Sequence, residues 1–310
     1  MDIYGERYSG DSEFVADCRL LQSIYRVESG LAIRPYHGRD GIHYYGNYID
    51  GEKSGENFLA DYIFEYAKER VRNRQKYETI NSDRLFNNLL SSQPMAFNLF
   101  CPLRKMLKES PEAATAAVKA ALPMFSIERI TEIDLEFIPS DYKTLTGDKS
   151  AMDAIIRYVD PDGKDGFIAI ETKYSENLGL NEASDTSRSL EIIKALKCFR
   201  EDIEERIAQK KTRLTQIYRN FLLSESYGIS INAQSYSIIL APERHPSTRK
   251  EVASITDELT EGYKEKIQAI TLETFIDKLI DNSDGSYYEI FIRFKDRYLG
   301  FHKIRQETIM

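Results

Sequence analysis

An α/β fold, with a sheet of four or more strands flanked by helices, is predicted by two patterns in this sequence. Several short runs alternate apolar and polar residues, and they lie among stretches whose apolar residues recur every three or four positions. Composition supplies a third observation. The 310 residues are 42% hydrophobic and 11% aromatic, with 20 Tyr and 15 Phe, far too many for a disordered chain. A chain this long can bury a full core.

The elements follow in order. Residues 13–29 place Phe14, Cys18, Leu21 and Ile24 at helical spacing. The stretch 33–55 is rich in Gly and Tyr and reads as irregular or hairpin. A helix is expected over 57–75, with Leu59, Tyr62, Ile63, Tyr66, Ala67 and Val71 as its apolar stripe and Lys68, Glu69, Arg70 and Arg72 on the wet side. Another is expected over 83–100, broken at Ser91, Ser92 and Gln93 because Pro94 follows. Ser110-Pro111 opens an Ala-rich helix over 111–121.

The period then changes to two. In 130–138, Ile133, Leu135 and Phe137 alternate with Glu132, Asp134 and Glu136, which predicts a strand with the acids on its wet face. Strands at 152–159 and 166–174 flank the turn formers of 160–166 and make a hairpin. Helices over 187–200 and 203–226, a strand at 235–242, a helix near 271–281 and a Tyr/Phe-rich end complete the chain. One domain over 1–310 is expected: a mostly helical elaboration at 1–85, a core at 86–245, and a segment at 246–310 packed on it.

The hairpin carries the sharpest chemical expectation. Its turn centres near Asp162–Gly163, so Asp153 lands opposite Thr172, with Glu171 and Lys173 as neighbours. Two carboxylates and an ammonium group this close suit Mg²⁺ or Mn²⁺, which bind through carboxylates, waters and phosphate oxygens. The same three residues also fit a plain cross-strand ion pair on a solvated face. No nucleotide-binding glycine loop, GxSxG or HExxH pattern occurs, and the four His lack metal spacing.

Charge and targeting bound the setting. Against 42 Lys+Arg stand 50 Asp+Glu, a net charge of −8, which argues against a uniformly basic nucleic-acid binder. It leaves room for an enzyme that gathers acids around a metal and keeps its bases local. The opening residues lack a signal-type apolar segment, no run is long enough to span a bilayer, and three scattered Cys form no framework. A cytoplasmic protein with reduced thiols and no membrane partner is expected.

The phrases GDKSAMDAIIRY and FIAIETKYSE on either side of the turn resemble the PD-(D/E)XK nuclease superfamily, the restriction-endonuclease-like fold. Further phrases are similar to a poorly characterised bacterial branch of it. These are Ser91, Ser92 and Gln93 with Asn98, Leu99 and Phe100, then Gln216, Arg219, Asn220, Leu222 and Leu223, then Arg297 to Phe301. The resemblance implies a restriction-endonuclease-like core with a mixed sheet, and a Mg²⁺- or Mn²⁺-dependent phosphodiesterase acting on nucleic acid, in the first place DNA. It assigns Asp153 and Glu171 to the metal and Lys173 to catalysis, with Gln93 in support.

Helix 203–226 would present Arg213, Gln216, Arg219 and Asn220 to a phosphate. The superfamily's usual Glu before the first core strand has no unambiguous counterpart. Gln93 competes with Glu56, Glu65, Glu69, Glu132, Asp134 and Glu136 for that place. A catalytically inactive binding module, or a subunit of a defence or repair assembly, is the alternative function. A homodimer or a protein partner stays open.

Overall fold

The alternating runs assemble into one five-stranded mixed sheet. In a computed structural model, which describes residues 2–147, 149–177 and 187–307, its strands are β1 (Arg129–Phe137), β2 (Met152–Val159), β3 (Asp165–Thr172), β4 (Gln234–Ala241) and β5 (Ile267–Thr271), lying side by side in that order. The first three form an antiparallel meander, and β3–β4 and β4–β5 pair in parallel. The fifth strand escapes sequence reasoning. It is five residues long and follows the charged run Glu261–Lys266, so alternation has too little length to register.

Helices cover both faces of the sheet, as parallel strands require. On one face lie α1 (Glu13–Glu28), α2 (Asp61–Arg72), α3 (Ser92–Glu109), α4 (Pro111–Ala121), α8 (Leu272–Asp281) and α9 (Gly285–Leu299). Their apolar residues join Ile133, Ile156, Ile168, Ile170, Ile238 and Leu240 in the largest core cluster. The other face carries α5 (Ser187–Leu196), α6 (Gln216–Ser230) and α7 (Thr248–Glu258), packed on Ile155, Phe167, Ala169 and Ile239. The 33–55 stretch forms only a short hairpin, Tyr36–Gly38 with Gly41–His43.

Three expectations need correction. The helix expected over 203–226 is two, Ile203–Ala208 and α6. Lys210 turns to a φ of 56°, and the Lys211 N–H donates back to the Arg206 carbonyl at 2.8 Å. Arg206 and the Thr212 hydroxyl then both bond the buried Glu258 carboxylate, at 2.8 and 2.9 Å. Satisfying that buried charge outweighs continuous helix hydrogen bonds. Arg213 therefore lies in the exposed connecting segment and not on the helix of Gln216. The break expected at Ser91–Gln93 within 83–100 comes slightly earlier, between Asn87 and Ser92, where Ser82–Asn87 ends and α3 begins, and Arg70 is half-buried instead of solvated.

A buried polar network ties both ends of the chain to the sheet. Arg297 on α9 is 1% exposed, and its guanidinium donates to the Asn57 carbonyl (2.9 Å), Asn57 Oδ1 (2.6 Å) and Gln22 Oε1 (3.2 Å). Gln22 donates in turn to the Tyr174 hydroxyl at 2.9 Å, one residue beyond Lys173. Asn98 donates to the Asn57 carbonyl and the Tyr298 hydroxyl, both at 3.0 Å. The guanidinium also packs on the rings of Tyr25 (4.4 Å) and Tyr298 (4.6 Å). Among the described residues no carboxylate pairs with Arg297; neutral oxygens and π faces hold the cation.

Replacing Arg297 by Met leaves three buried acceptors short of a donor, each worth about 1–3 kcal/mol. Urea unfolding of Arg297→Met is expected to show a loss of about 3 kcal/mol or more. A loss below about 1 kcal/mol would contradict the role given to this network.

Candidate active site

Alternation along β3 sends Phe167, Ala169, Glu171 and Lys173 toward α6, while Ile168 and Ile170 enter the opposite core. The β2–β3 register runs from Ala154 opposite Ile170 to Val159 opposite Asp165. It is offset by one residue from the expected pairing, so its continuation puts Asp153 across from Glu171. The turn accounts for the offset: Asp160 Oδ1 accepts from the N–H groups of Asp162 (2.9 Å) and Lys164 (2.8 Å), and Gly163 takes a φ of 81°. The expected partner still meets Asp153 through its side chain. Asp153 Oδ2 accepts from both the N–H and the hydroxyl of Thr172 at 2.7 Å.

Glu171 sits in a cage of donors. Lys173 Nζ lies 2.6 Å from its Oε1, Gln216 Nε2 donates to the same oxygen at 2.8 Å, and Asn220 Nδ2 donates to Oε2 at 2.8 Å. Gln216 Oε1 accepts from Lys173 Nζ at 3.1 Å, which closes the ring. Gln216 and Asn220 reach one carboxylate because they are four apart at the start of α6. Arg219 is half-buried on the same helix, whereas Arg213 stays outside it and exposed.

A third acid enters that alternation had placed outside. Glu132 faces out and pairs with Arg157 (2.9 Å), and Asp134 accepts from the Tyr66 hydroxyl (2.7 Å). Glu136, the next in that series, is only 4% exposed. Its backbone takes a φ of 52°, which breaks the strand's alternation and turns the carboxylate inward. Arg70 fixes that turn by donating to the Glu136 carbonyl at 3.0 Å, and Gln93 Nε2 donates to Glu136 Oε1 at 2.9 Å. Gln93 thus meets the cluster through Glu136 and not through Asp153 or Glu171. Nothing in a period-two pattern could single out Glu136 from its two neighbours.

The helix expected to restart at the Ser91–Gln93 break begins at Ser92, with Pro94 in its first turn. Ser91 caps α3, its Oγ accepting from the Gln93 N–H at 3.2 Å. The Ser92 N–H and hydroxyl donate to Glu176 Oε1 at 2.8 and 3.0 Å, pinning the segment just after Lys173. Burial opposes the charge on Glu176, but Lys173, the Ser92 N–H and Arg84 prevail and hold its carboxyl below the usual range. Of the other rivals, Glu56 accepts from the Ser54 hydroxyl, Glu65 pairs with Lys68, and Glu69 is exposed.

Three carboxylates face one ammonium group, and their proton affinities show the strain. Burial, reinforced by the charges of Glu171 and Glu136, holds the Asp153 carboxyl well above its ordinary range, against the pull of Lys173 and the Thr172 N–H. Burial pushes Glu136 up to about 7; the Gln93 hydrogen bond opposes this and the Glu171 charge adds to it. For Lys173, burial favours the neutral amine, but Glu171 and Asp153 outweigh it and keep the ammonium charged.

Among the described residues no three His, Cys, Asp or Glu side chains form a ready-made metal shell, and Glu171 is held by its amide and ammonium donors. The donor chemistry nevertheless fits a hard divalent ion. Excess buried negative charge lies beside two buried amide oxygens, Gln93 Oε1 and Asn220 Oδ1, that have no hydrogen-bond partner among the described residues.

The comparisons with known proteins bear on these residues directly. A family model described as the PD-(D/E)XK nuclease superfamily matches residues 9–300. No curated protein matches the chain, and no solved structure does.

The raised acids carry a signed pH dependence. The folded, metal-free protein holds protons on Glu136 and Asp153 that the unfolded chain releases, so this contribution favours folding at low pH and fades as pH rises through about 7. Glu136→Gln keeps the size and removes the charge. In EDTA it is expected to raise unfolding free energy by about 1 kcal/mol or more near pH 8, and by clearly less near pH 5. Destabilisation at the higher pH, or an equal effect at both, would contradict this reading.

Proposed function

Because this chain belongs to the PD-(D/E)XK nuclease superfamily, we propose that it is a Mg²⁺- or Mn²⁺-dependent nuclease that hydrolyses phosphodiester bonds in DNA. The observation that carries the proposal is the convergence of Glu136, Asp153 and Glu171 on the charged Lys173, with buried amide oxygens alongside. Asp153 and Glu171 are the metal ligands, and Glu136, set by Gln93, takes the third acidic place. When bound, the ion supplies a more acidic water and neutralises charge on the phosphate.

The chain's own groups do the rest. Hydrolysis delivers the hydroxide of a water to phosphorus and the water's proton to the leaving oxygen. Lys173, held charged, serves as a hydrogen-bond donor to the phosphate oxygens as their charge grows. Gln216 positions it, since its Oε1 accepts from Nζ while its Nε2 orients Glu171. Asn220 steadies the second oxygen of Glu171. Arg219 on α6 and the exposed Arg213 before it are proposed phosphate contacts.

The shared core cluster, which joins Phe14, Ile63 and Phe291 to sheet residues, supports one domain over the chain; of the core placed at 86–245, the sheet's fifth strand, Ile267–Thr271, falls outside. A cytoplasmic setting is part of this proposal; among the described residues no helix is long and apolar enough to cross a membrane.

One observation favours a second reading, a binding module without catalysis: both oxygens of Glu171 are already engaged. Calorimetric titration with Mn²⁺ separates the two readings, because a mere scaffold shows no binding that Asp153→Ala removes.

With Mn²⁺ the purified protein is expected to cut plasmid or single-stranded DNA. Lys173→Ala should slow cutting by about a hundredfold or more while the fold, followed by circular dichroism, is unchanged. Cutting at the wild-type rate by Lys173→Ala, or no cutting of any DNA, would refute the proposal.

A further inference from the structure

A second cleft, of about 560 Å³, opens between α2 and α3, away from the carboxylates. Its lining brings cations and aromatic rings together. Arg104 lies 4.3 Å over the ring of Tyr66, and Lys105 Nζ lies 5.5 Å from the ring of Tyr62. Tyr66 cannot swing away, because its hydroxyl donates to Asp134 at 2.7 Å. The ring beneath the Arg104 guanidinium is thus fixed in place, and both residues line the cleft.

The charge balance of the lining is positive and unspent. Among the described residues Arg72, Arg104 and Lys108 have no carboxylate partner. Lys105 is paired outside the cleft with Glu109 (2.5 Å); of the two acids in the lining, Glu65 is taken by Lys68 (2.5 Å), which leaves Glu69 alone to offset three cations. Three cations against the single carboxylate of Glu69 leave the cleft with a positive excess beside two tyrosines, and an anion relieves it. The guanidinium fork matches phosphate geometry, and its flat face and the tyrosine rings match a nucleobase.

We infer that this cleft binds a nucleoside phosphate, gripping the phosphate through Arg104, Arg72 and Lys108 and stacking the base on the Tyr62–Arg104 wall. The two possible sources share this chemistry: a free nucleotide, or one unit of a nucleic-acid strand. Helix α3 links the cleft to the carboxylates, since Gln93 lies eleven residues before Arg104, about 16 Å along the helix axis. The inference stands without the nuclease proposal, because binding can be measured with no metal and no cutting.

The test uses the full chain in EDTA, titrated by calorimetry with adenosine 5′-monophosphate, inorganic phosphate and a short oligodeoxythymidylate. Arg104→Ala is expected to weaken nucleotide or oligonucleotide binding at least about tenfold, as loss of a charge-assisted contact does. The exposed Lys108→Glu should act in the same direction, so a folding defect in the first variant does not decide the matter. Lys164→Ala, on the exposed turn between β2 and β3, should leave mononucleotide affinity unchanged. Loss with the mononucleotide assigns the cleft to a free nucleotide, and loss with the oligonucleotide alone assigns it to a strand. If neither probe binds, or if both variants bind both probes as the wild type does, the inference is overturned.

Discussion

Negative charge concentrated out of water governs this molecule. Glu136, Asp153 and Glu171 are drawn together at the ends of three adjacent strands, with the Lys173 ammonium among them. Left alone, such a cluster would protonate or open, and Glu136 and Asp153 do show raised proton affinity. The surroundings resist opening at each point. Thr172 holds Asp153, Gln216 and Asn220 hold Glu171, and Gln93 and Arg70 hold the side chain and backbone of Glu136. Each support comes from a different element, so the site exists only when β1, β2, β3, α2, α3 and α6 are all in place. Stability is given up locally for an arrangement that a divalent cation would complete.

The rest of the fold can be understood as the frame for that arrangement. The sheet's two apolar faces bring α3 and α6 to opposite sides of the same strand ends. Ser92 and Glu176 clamp the segment beyond Lys173 to the start of α3. Behind them, Tyr174 reaches Gln22 and through it Arg297, so the two ends of the chain brace the residue next to Lys173. Helix α3 has two tasks, since its first turn serves the carboxylates and its later turns line the basic cleft.

Much of this was legible in the sequence, and the failures share a cause. The period-two runs located four of the five strands, and β2 and α4 ended where the pattern did. Asp153, Glu171 and Lys173 could be found because a hairpin turn and a strand's alternation are local rules. Glu136 could not, because its inward turn comes from a positive φ held by Arg70, a residue 66 positions away. The break after Ala208 depends likewise on Glu258, which sits 46 positions beyond Thr212. The phrases around Asn98 and Arg297 carried the family resemblance, yet their side chains build the buried frame and not the site. Local patterns reveal elements; partners distant in sequence decide which polar groups go inside.

The most direct measurement is anomalous diffraction from crystals soaked in Mn²⁺. The expected result is a peak shared by Asp153 and Glu171, with Glu136 in or beside the shell and Lys173 swung from Glu171 toward the open side. Crystals that diffract well yet show no peak at these carboxylates, or an ion held elsewhere in the chain, would contradict the account.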